Sequence, residues 1–464
     1  MRWRNRRQSG NMIDRRGAGG GGMRMGGLRL GGGRRGGGIG ILALAVVVVV
    51  ALALGIDPMA LLDPQSAPPA AITAGQDDLR DFAAVVLADT EDVWQARFQA
   101  QGSDYTPVPI VLYSARTTSG CGLADAVRIK LFYSADAGMD AWQVIAAIQA
   151  RVGATPAPAI TANPVPIQPF AGQLVQVQAI AVKGWREGAD VRVVEEDVPQ
   201  AARGLFARPK VTRGLRAGEF FSIPGRTAAD SNDAIEGDGI AQTHVIMGRL
   251  TETAQALGCT LQDAIKKEGY YFGTDMQQWA SMAAVRASYF REPAAVATVV
   301  PAHRLHPEGA VTKVEVLGYR ESWNGFDKYI PREDSWPRRV WDWPIPVPYR
   351  QGSKLRGAIW TGGQVPFEVG FNGGKAAYPG DLVRQTRFTM RYIDDILAGF
   401  GKTSADLGLL VCYFTSDGKE ETTRRFLDAV ADCVAGPLPP ITCVAQPHMH
   451  STDMTVEIWG VARA

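Results

Sequence analysis

The chain has 464 residues, of which 46% are hydrophobic and 21% charged, a globular balance with length for two to four domains. Its formal charge of +2 excludes a histone-like or acidic-tail protein, yet that figure averages two unlike parts. Residues 1–35 hold ten Arg, no Lys and one Asp, for +9, whereas the other 429 residues carry 39 basic and 46 acidic groups, for −7.

The first forty residues contain 15 Gly and almost nothing that packs, which predicts a disordered Arg/Gly-rich tail over 1–38. Gly36–Ile56 then carries no charge, with an unbroken aliphatic run from Ile41 to Leu54. That run is long enough for the hydrocarbon of a bilayer, so a transmembrane helix is expected at 39–56; a buried soluble helix is the alternative. The arginines before it and Asp57, Asp63, Asp77 and Asp78 after it predict a single-pass membrane protein with a cytoplasmic N-terminus. Ala51-Leu52-Ala53 has the spacing of a cleavage site, but the long flanks favour an uncleaved anchor. A Pro/Ala-rich linker (57–76) leads to an amphipathic pattern of Leu79, Phe82, Val86, Val93 and Trp94, then to a short strand at 110–113 and a turn with Cys121.

Met1-Arg2-Trp3, Arg6-Arg7-Gln8-Ser9, Asp14-Arg15-Arg16, Gly55-Ile56-Asp57, Thr90-Glu91-Asp92-Val93-Trp94 and Ser119-Gly120-Cys121-Gly122 together resemble the N-terminal part of the neutral zinc metallopeptidase (YpfJ-like) family. The resemblance covers about 1–122, with 77–122 a fragment of the region before the catalytic domain. It implies an anchor and a His-Glu-x-x-His helix further on, where two His one turn apart bind zinc and the Glu serves as base. The five His (244, 303, 306, 448 and 450) include no such pair, so no metal site and no cofactor is expected.

Beyond Cys121 the chain becomes periodic on a long scale. Apolar strands end in acidic turns at Asp136, Asp275 and Asp417, which are 139 and 142 positions apart. Each turn is followed by a helical pattern (142–152, 279–290, 426–434), a Pro-containing strand (158–166, 293–301, 439–447) and an alternating final strand (174–181, 311–318, 455–462). Two front halves add a hairpin and a helix, carrying Gln242-Thr243 in one and Gln385-Thr386 in the other. The expected fold class is α+β: tandem β-β-β-α-β-α-β-β units at 123–187 (partial), 209–320 and 345–464, preceded by the transmembrane helix.

Thr361-Gly362-Gly363-Gln364-Val365-Pro366 and the closing strands Val175–Ala181 and Val456–Ala462 resemble the RidA (YjgF-like) family of the chorismate-mutase-like fold. The resemblance implies trimers, or here an internal pseudo-trimer, with clefts that bind small reactive enamine or imine metabolites. It also implies an Arg that clamps a substrate carboxylate and a Glu on the last strand that activates water. The Arg position holds Ile160, Ala295 and Ile441, and the Glu position holds Gln176, Lys313 and Glu457. Glu457 is therefore the catalytic candidate for imine or enamine deamination, with an exposed strand-end carboxylate as the alternative. Gln176 and Lys313 are candidates for substrate binding.

The connector at 321–344 interleaves Trp323, Trp336, Trp341 and Trp343 with Arg338 and Arg339, but neighbouring acids offset the charge, so a Trp-anchored linker is expected rather than a nucleic-acid surface. The cysteines at 121, 259, 412, 433 and 443 form no CxxC pair, and the apolar settings of 259, 412 and 433 fit buried thiols. Three functions follow: a RidA-like enzyme or binder of small metabolites, a membrane-anchored interaction module of the zinc-peptidase family without its activity, or a chimera joined near residue 122 with no single function.

Overall fold

In the computed structural model, residues 125–135, 138–170, 172–188, 190–273, 276–322, 340–369 and 375–464 are described, with Arg7, 12–14, Gln95, Gln99 and 110–112 before them. Two compact units divide the chain, Met1–Gly122 and Leu123–Ala464. In the first, β1 (Met12–Asp14) pairs in parallel with β2 (Ile110–Leu112).

The second unit is mixed α+β and contains three sheets. The first is built from β3 (Ala126–Ser134), α1 (Ala141–Val152), β4 (Ala159–Val165) and β5 (Val175–Ala181), in the order β4-β3-β5. Helix α1 starts where Asp140 and Gln143 form a reciprocal capping box, and it stops at Gly153, whose φ of 62° suits a residue without Cβ. The second sheet comprises β6 (Val191–Asp197), β7 (Lys210–Ala217), β8 (Phe220–Arg226), α2 (Gly239–Ala256), β9 (Ala264–Phe272), α3 (Met276–Ser288), β10 (Val296–Ala302) and β11 (Thr312–Tyr319). Its order is β10-β9-β11-β8-β7-β6, parallel only between β9 and β10, which α3 connects. The third holds β12 (Gly352–Leu355), β13 (Ala358–Thr361), α4 (Leu382–Gly399), β14 (Leu407–Thr415), α5 (Glu420–Ala431), β15 (Ile441–Gln446) and β16 (Val456–Arg463), in the order β12-β13-β16-β14-β15.

The helices bury one stripe. On α2 it is Gln242, Thr243, Ile246, Met247 and Leu250, and on α4 it is Gln385, Thr386, Met390, Ile393 and Leu397. The Gln-Thr pairs are structural. Gln242 accepts from Val311 N (2.9 Å) and Gln385 from Thr455 N (2.8 Å), tying each helix to the start of its sheet's last strand, while both Thr hydroxyls donate to the preceding helical turn.

The sheets meet at three seams. Gly225 N donates to Thr161 Oγ1 (2.7 Å) between β8 and β4, Gly363 N to Ala297 O (2.8 Å) after β13 and on β10, and Gln178 Nε2 to Thr442 Oγ1 (3.5 Å) between β5 and β15. Arg128 and Lys130 of β3 form buried ion pairs with Glu268 of β9 and Glu315 of β11, at 2.5 to 3.0 Å. Burial alone would raise the Glu315 pKa, but Arg128 and Lys130 outweigh it and hold the carboxyl down at about 2. Two cations against two anions make the desolvation of this centre tolerable, and removal of any one would leave an uncompensated buried charge.

Two expectations require correction. Among the described residues the fold is not a tandem array of β-β-β-α-β-α-β-β units. Among the described residues only the middle sheet has three leading strands; the third has two, with Pro344, Pro346 and Pro348, which have no N–H for a ladder, on the approach to β12. The expected transmembrane helix at 39–56 lies outside the described residues, and among those described no helix is long and apolar enough to cross a membrane. The single-pass membrane localisation and the membrane partner are therefore without support.

Candidate functional site

Strand β16 runs between β13 and β14, so its side chains alternate between two packed faces. Glu457, opposite Tyr413 in register, is 3% exposed, which removes the reading of it as an exposed strand-end carboxylate. Its Oε2 lies 3.0 Å from His450 Nε2, and His450 Nδ1 lies 2.9 Å from Tyr271 Oη on β9. These partners fit an imidazole whose Nε2–H donates to Glu457 and whose Nδ1 accepts from Tyr271. The His450 and Tyr271 rings stack at 5.7 Å, and Trp279 of α3 meets His450 edge-on at 6.4 Å.

The cavity in front of Glu457 measures about 40 Å³, room for a few heavy atoms. Trp279, Trp341, Trp343, Tyr349 and Phe367 supply aromatic walls, and Lys267 and Arg286 line the same space. Arg286 is fully buried on the last turn of α3, and none of its three guanidinium nitrogens has a hydrogen-bond partner. Burial draws its pKa down to about 10, which leaves it a cation at neutral pH. Lys267 follows Lys266 on β9, and the pleat sends the two to opposite faces. Its Nζ sits 4.5 Å from the centroid of the Tyr349 ring, and burial, then Arg286 and Lys266, push its pKa well below the ordinary lysine value. The cavity therefore carries one firm cation without a partner, one lysine whose ammonium form is disfavoured, and one carboxylate held by a histidine.

Gly363 completes this geometry. A Cβ there would collide with Glu457 Oε1 and come within 3.0 Å of Thr298 Oγ1. The glycine lets the hairpin end approach β10, where its N–H bonds Ala297 O.

The three residues singled out from sequence occupy three different seams. Glu457 is at the β10 seam. Lys313, on β11, donates to Ala162 O (2.7 Å) of β4 and lines a separate cavity of about 400 Å³. Gln176, on β5, donates to Cys443 O of β15 and Gln168 Oε1 (3.4 Å). The structure does not bring them together. Arg286, Lys267, His450 and Tyr271 were missed. A signal did exist for Arg286: it falls on the stripe of Trp279, Met282, Ala283 and Phe290, where a charged residue is out of place. Trp341 and Trp343 pack at 5.1 Å, with Trp341 Nε1 donating to Gln364 Oε1, whereas Trp323, Trp336 and Cys121 lie outside the described residues. The four described cysteines are free thiols.

Residues 1–152 match the family model described as Putative neutral zinc metallopeptidase, and residues 206–318 match that described as Endoribonuclease L-PSP. The uncharacterized protein YpfJ from two strains of Escherichia coli is 35% identical over 140 residues, 29% of this chain and 47% of the relative. The chain thus spans about half the length of the curated relatives it matches. Among solved structures, a chorismatase shares 14% identity and covers 73% of this chain and 93% of its own, with a TM-score of 0.43. TdcF of Escherichia coli with bound serine shares 22% identity, covers 27% and 94%, and scores 0.23. RidA from an Antarctic Psychrobacter shares 22%, covers 23% and 86%, and scores 0.22. The chain joins a zinc-metallopeptidase-like N-terminus to a RidA-like domain. The residues do not fit the zinc that the first family name implies: the sequence contains no His-Glu-x-x-His, and among the described residues no group of three or more His, Cys, Asp or Glu could hold a metal ion.

Proposed function

We propose that the second unit binds a small carboxylate-bearing imine or enamine in the Glu457 cavity and hydrolyses it. The observation that carries this reading is the shared cavity of Arg286 and Glu457, a partnerless guanidinium and a histidine-held carboxylate. Ile160, Ala295 and Ile441 occupy the strand position where the RidA resemblance calls for an Arg. In this reading the guanidinium reaches the cleft from helix α3 instead, and its planar fork suits a carboxylate. The aromatic walls exclude bulk water and strengthen that pairing.

Glu457 takes a proton from a water molecule as its oxygen attacks the C=N carbon. It then returns the proton to nitrogen, and the carbinolamine collapses to a carbonyl and ammonia. His450 orients the carboxylate throughout. An enamine enters the same sequence after tautomerising to the imine, with a proton gained at carbon and one lost from nitrogen.

The test is ammonia release from a 2-imino acid generated in situ, with the full chain as catalyst. We expect acceleration over the spontaneous reaction, a loss of about 100-fold or more in Glu457→Gln, and a raised KM in Arg286→Lys. No acceleration by the intact protein sinks the proposal.

A further inference from the structure

We propose that Lys267 is a covalent nucleophile of the Glu457 cavity, whose amine takes the C=N carbon of the substrate into a Schiff base before water attacks. This deepens the function proposed above and rests on that reading of the cavity.

Placement is the first ground. Lys267, Arg286 and Glu457 line one cavity of about 40 Å³, so a ligand seated there lies against all three. On β9 the lysine stands opposite Ala297 of β10, whose short side chain lines the same space and takes up little of it. The carboxyl carbon and the C=N carbon of a 2-imino acid are bonded to each other. A carboxylate paired with Arg286 therefore holds the reacting carbon in the same small volume as the lysine amine.

The second ground is the state of that amine. Other buried lysines are committed. Lys130 pairs with Glu268 (2.8 Å) and Glu315 (2.5 Å), Lys266 donates to Thr298 Oγ1 (2.6 Å) and Thr361 O (3.0 Å), and Lys313 donates to Ala162 O (2.7 Å). Lys267 instead meets the face of the Tyr349 ring, with Nζ 4.5 Å from its centroid. Burial, then Arg286 and Lys266, disfavour its ammonium form, and Glu457 opposes them only in part. The neutral amine keeps its lone pair, and desolvation beside another cation is what makes a lysine nucleophilic near neutral pH. A residue that only filled this space would be served by an aliphatic side chain, without the cost of burying a nitrogen among aromatic walls.

The chemistry balances with the groups present. The Nζ lone pair forms a bond to the C=N carbon, the π pair passes to the substrate nitrogen, and Glu457 carries a proton from Nζ to that nitrogen. Ammonia then leaves as the Nζ lone pair re-forms a C=N bond, now to the lysine. Water adds to this second C=N bond with Glu457 as base. The carbinolamine breaks its bond to Nζ, which regains its proton, and the 2-oxo acid is released. One imine and one water give one 2-oxo acid and one ammonia.

The Schiff base also forms from the product side, so pyruvate serves as the probe. The full chain is incubated with pyruvate and sodium cyanoborohydride, which reduces a Schiff base to a stable secondary amine, and the modified lysine is mapped by peptide mass spectrometry. The expected result is a carboxyethyl group on Lys267, about tenfold or more above the exposed Lys183, and none at that position in Lys267→Met. In ammonia release Lys267→Met should lower kcat about 100-fold with little change in KM, the reverse of the Arg286→Lys effect. An adduct confined to exposed lysines, or no adduct, overturns the proposal. Ammonia release by the native chain without labelling of Lys267 removes the covalent step and leaves direct hydrolysis by Glu457 standing. Labelling of Lys267 without ammonia release upholds the nucleophile and sinks the hydrolysis. Mapping on the native chain decides the matter even if Lys267→Met fails to fold.

Discussion

His450 Nε2 stands 3.0 Å from Glu457 Oε2, and the same ring reaches Tyr271 Oη through Nδ1 at 2.9 Å, so a residue of the β15–β16 connection couples the last strand of one sheet to β9 of another. The histidine touches the proposed acid-base group rather than the substrate, which makes it a positioning residue. His450→Gln should lower kcat/KM about 10- to 100-fold and displace the acid limb of the pH–rate profile, whereas Tyr271→Phe should cost less than about tenfold. A profile unchanged in shape in His450→Gln would assign the pair to structure alone.

Gly363 is positioned by space. The added methyl of Gly363→Ala meets Glu457 Oε1 and sits 2.9 Å from Glu457 Cδ. Displacing that carboxylate should reduce kcat by about tenfold or more, with a stability loss of about 1–3 kcal/mol. Activity assays paired with urea denaturation separate the two effects.

Arg286 sets binding against stability. Its guanidinium is buried with no hydrogen-bond acceptor, so Arg286→Met should raise stability by about 1–3 kcal/mol while abolishing saturation by the imino acid. Denaturation midpoints and KM measured on the same preparation check both halves. A destabilised variant would mean that the guanidinium holds α3 in place.

The buried charges predict a pH optimum of stability on the alkaline side. Burial, only partly opposed by Glu268 and Glu457, lowers Lys266 from 10.5 to about 7, and burial, opposed by Glu315, lowers Lys313 to about 8. Between these values and 10.5 the unfolded chain binds protons that the folded chain does not, so stability rises with pH across this window. Glu315, held at about 2 in the fold, contributes stability that is lost as pH falls from 4.5 toward 2. Burial raises Cys443 from 9.0 to about 12 and puts Tyr270 well above 10, so their contributions fade as pH climbs past 9 to 10. Urea midpoints should be higher at pH 8.5 than at 6.5, and lower again at 10.5 and at 3.5. Lys266→Met should flatten the rise between 6.5 and 8.5.

Local periodicity made most strands and helices legible. The alternation expected at 455–462 is β16 at Val456–Arg463, and that at 311–318 is β11 at Thr312–Tyr319. The helix expected at 426–434 is observed at Glu420–Ala431. Its first turn carries Glu420 and Glu421, charges that hide a helix start from a hydrophobic pattern while suiting its positive dipole end. Lys266-Lys267-Glu268 illustrates the opposite failure. Three consecutive charges argue against a buried strand, yet all three are buried on β9, because each finds a partner or a cavity on another element: Thr298 and Thr361 for Lys266, the Arg286 cavity for Lys267, and Arg128 and Lys130 for Glu268.

The sequence by itself determined the uneven charge of the chain, the two family resemblances, the alternating last strands and Glu457 as a candidate, since all of these reside in composition or in neighbours a few positions apart. Only the tertiary structure decided that Glu457, Lys313 and Gln176 go to separate seams, and that Arg286 of α3 lines the same cavity as Glu457 of β16. Those choices depend on which sheet edges dock against each other, and docking is set by contacts between residues more than a hundred positions apart, to which no local period corresponds.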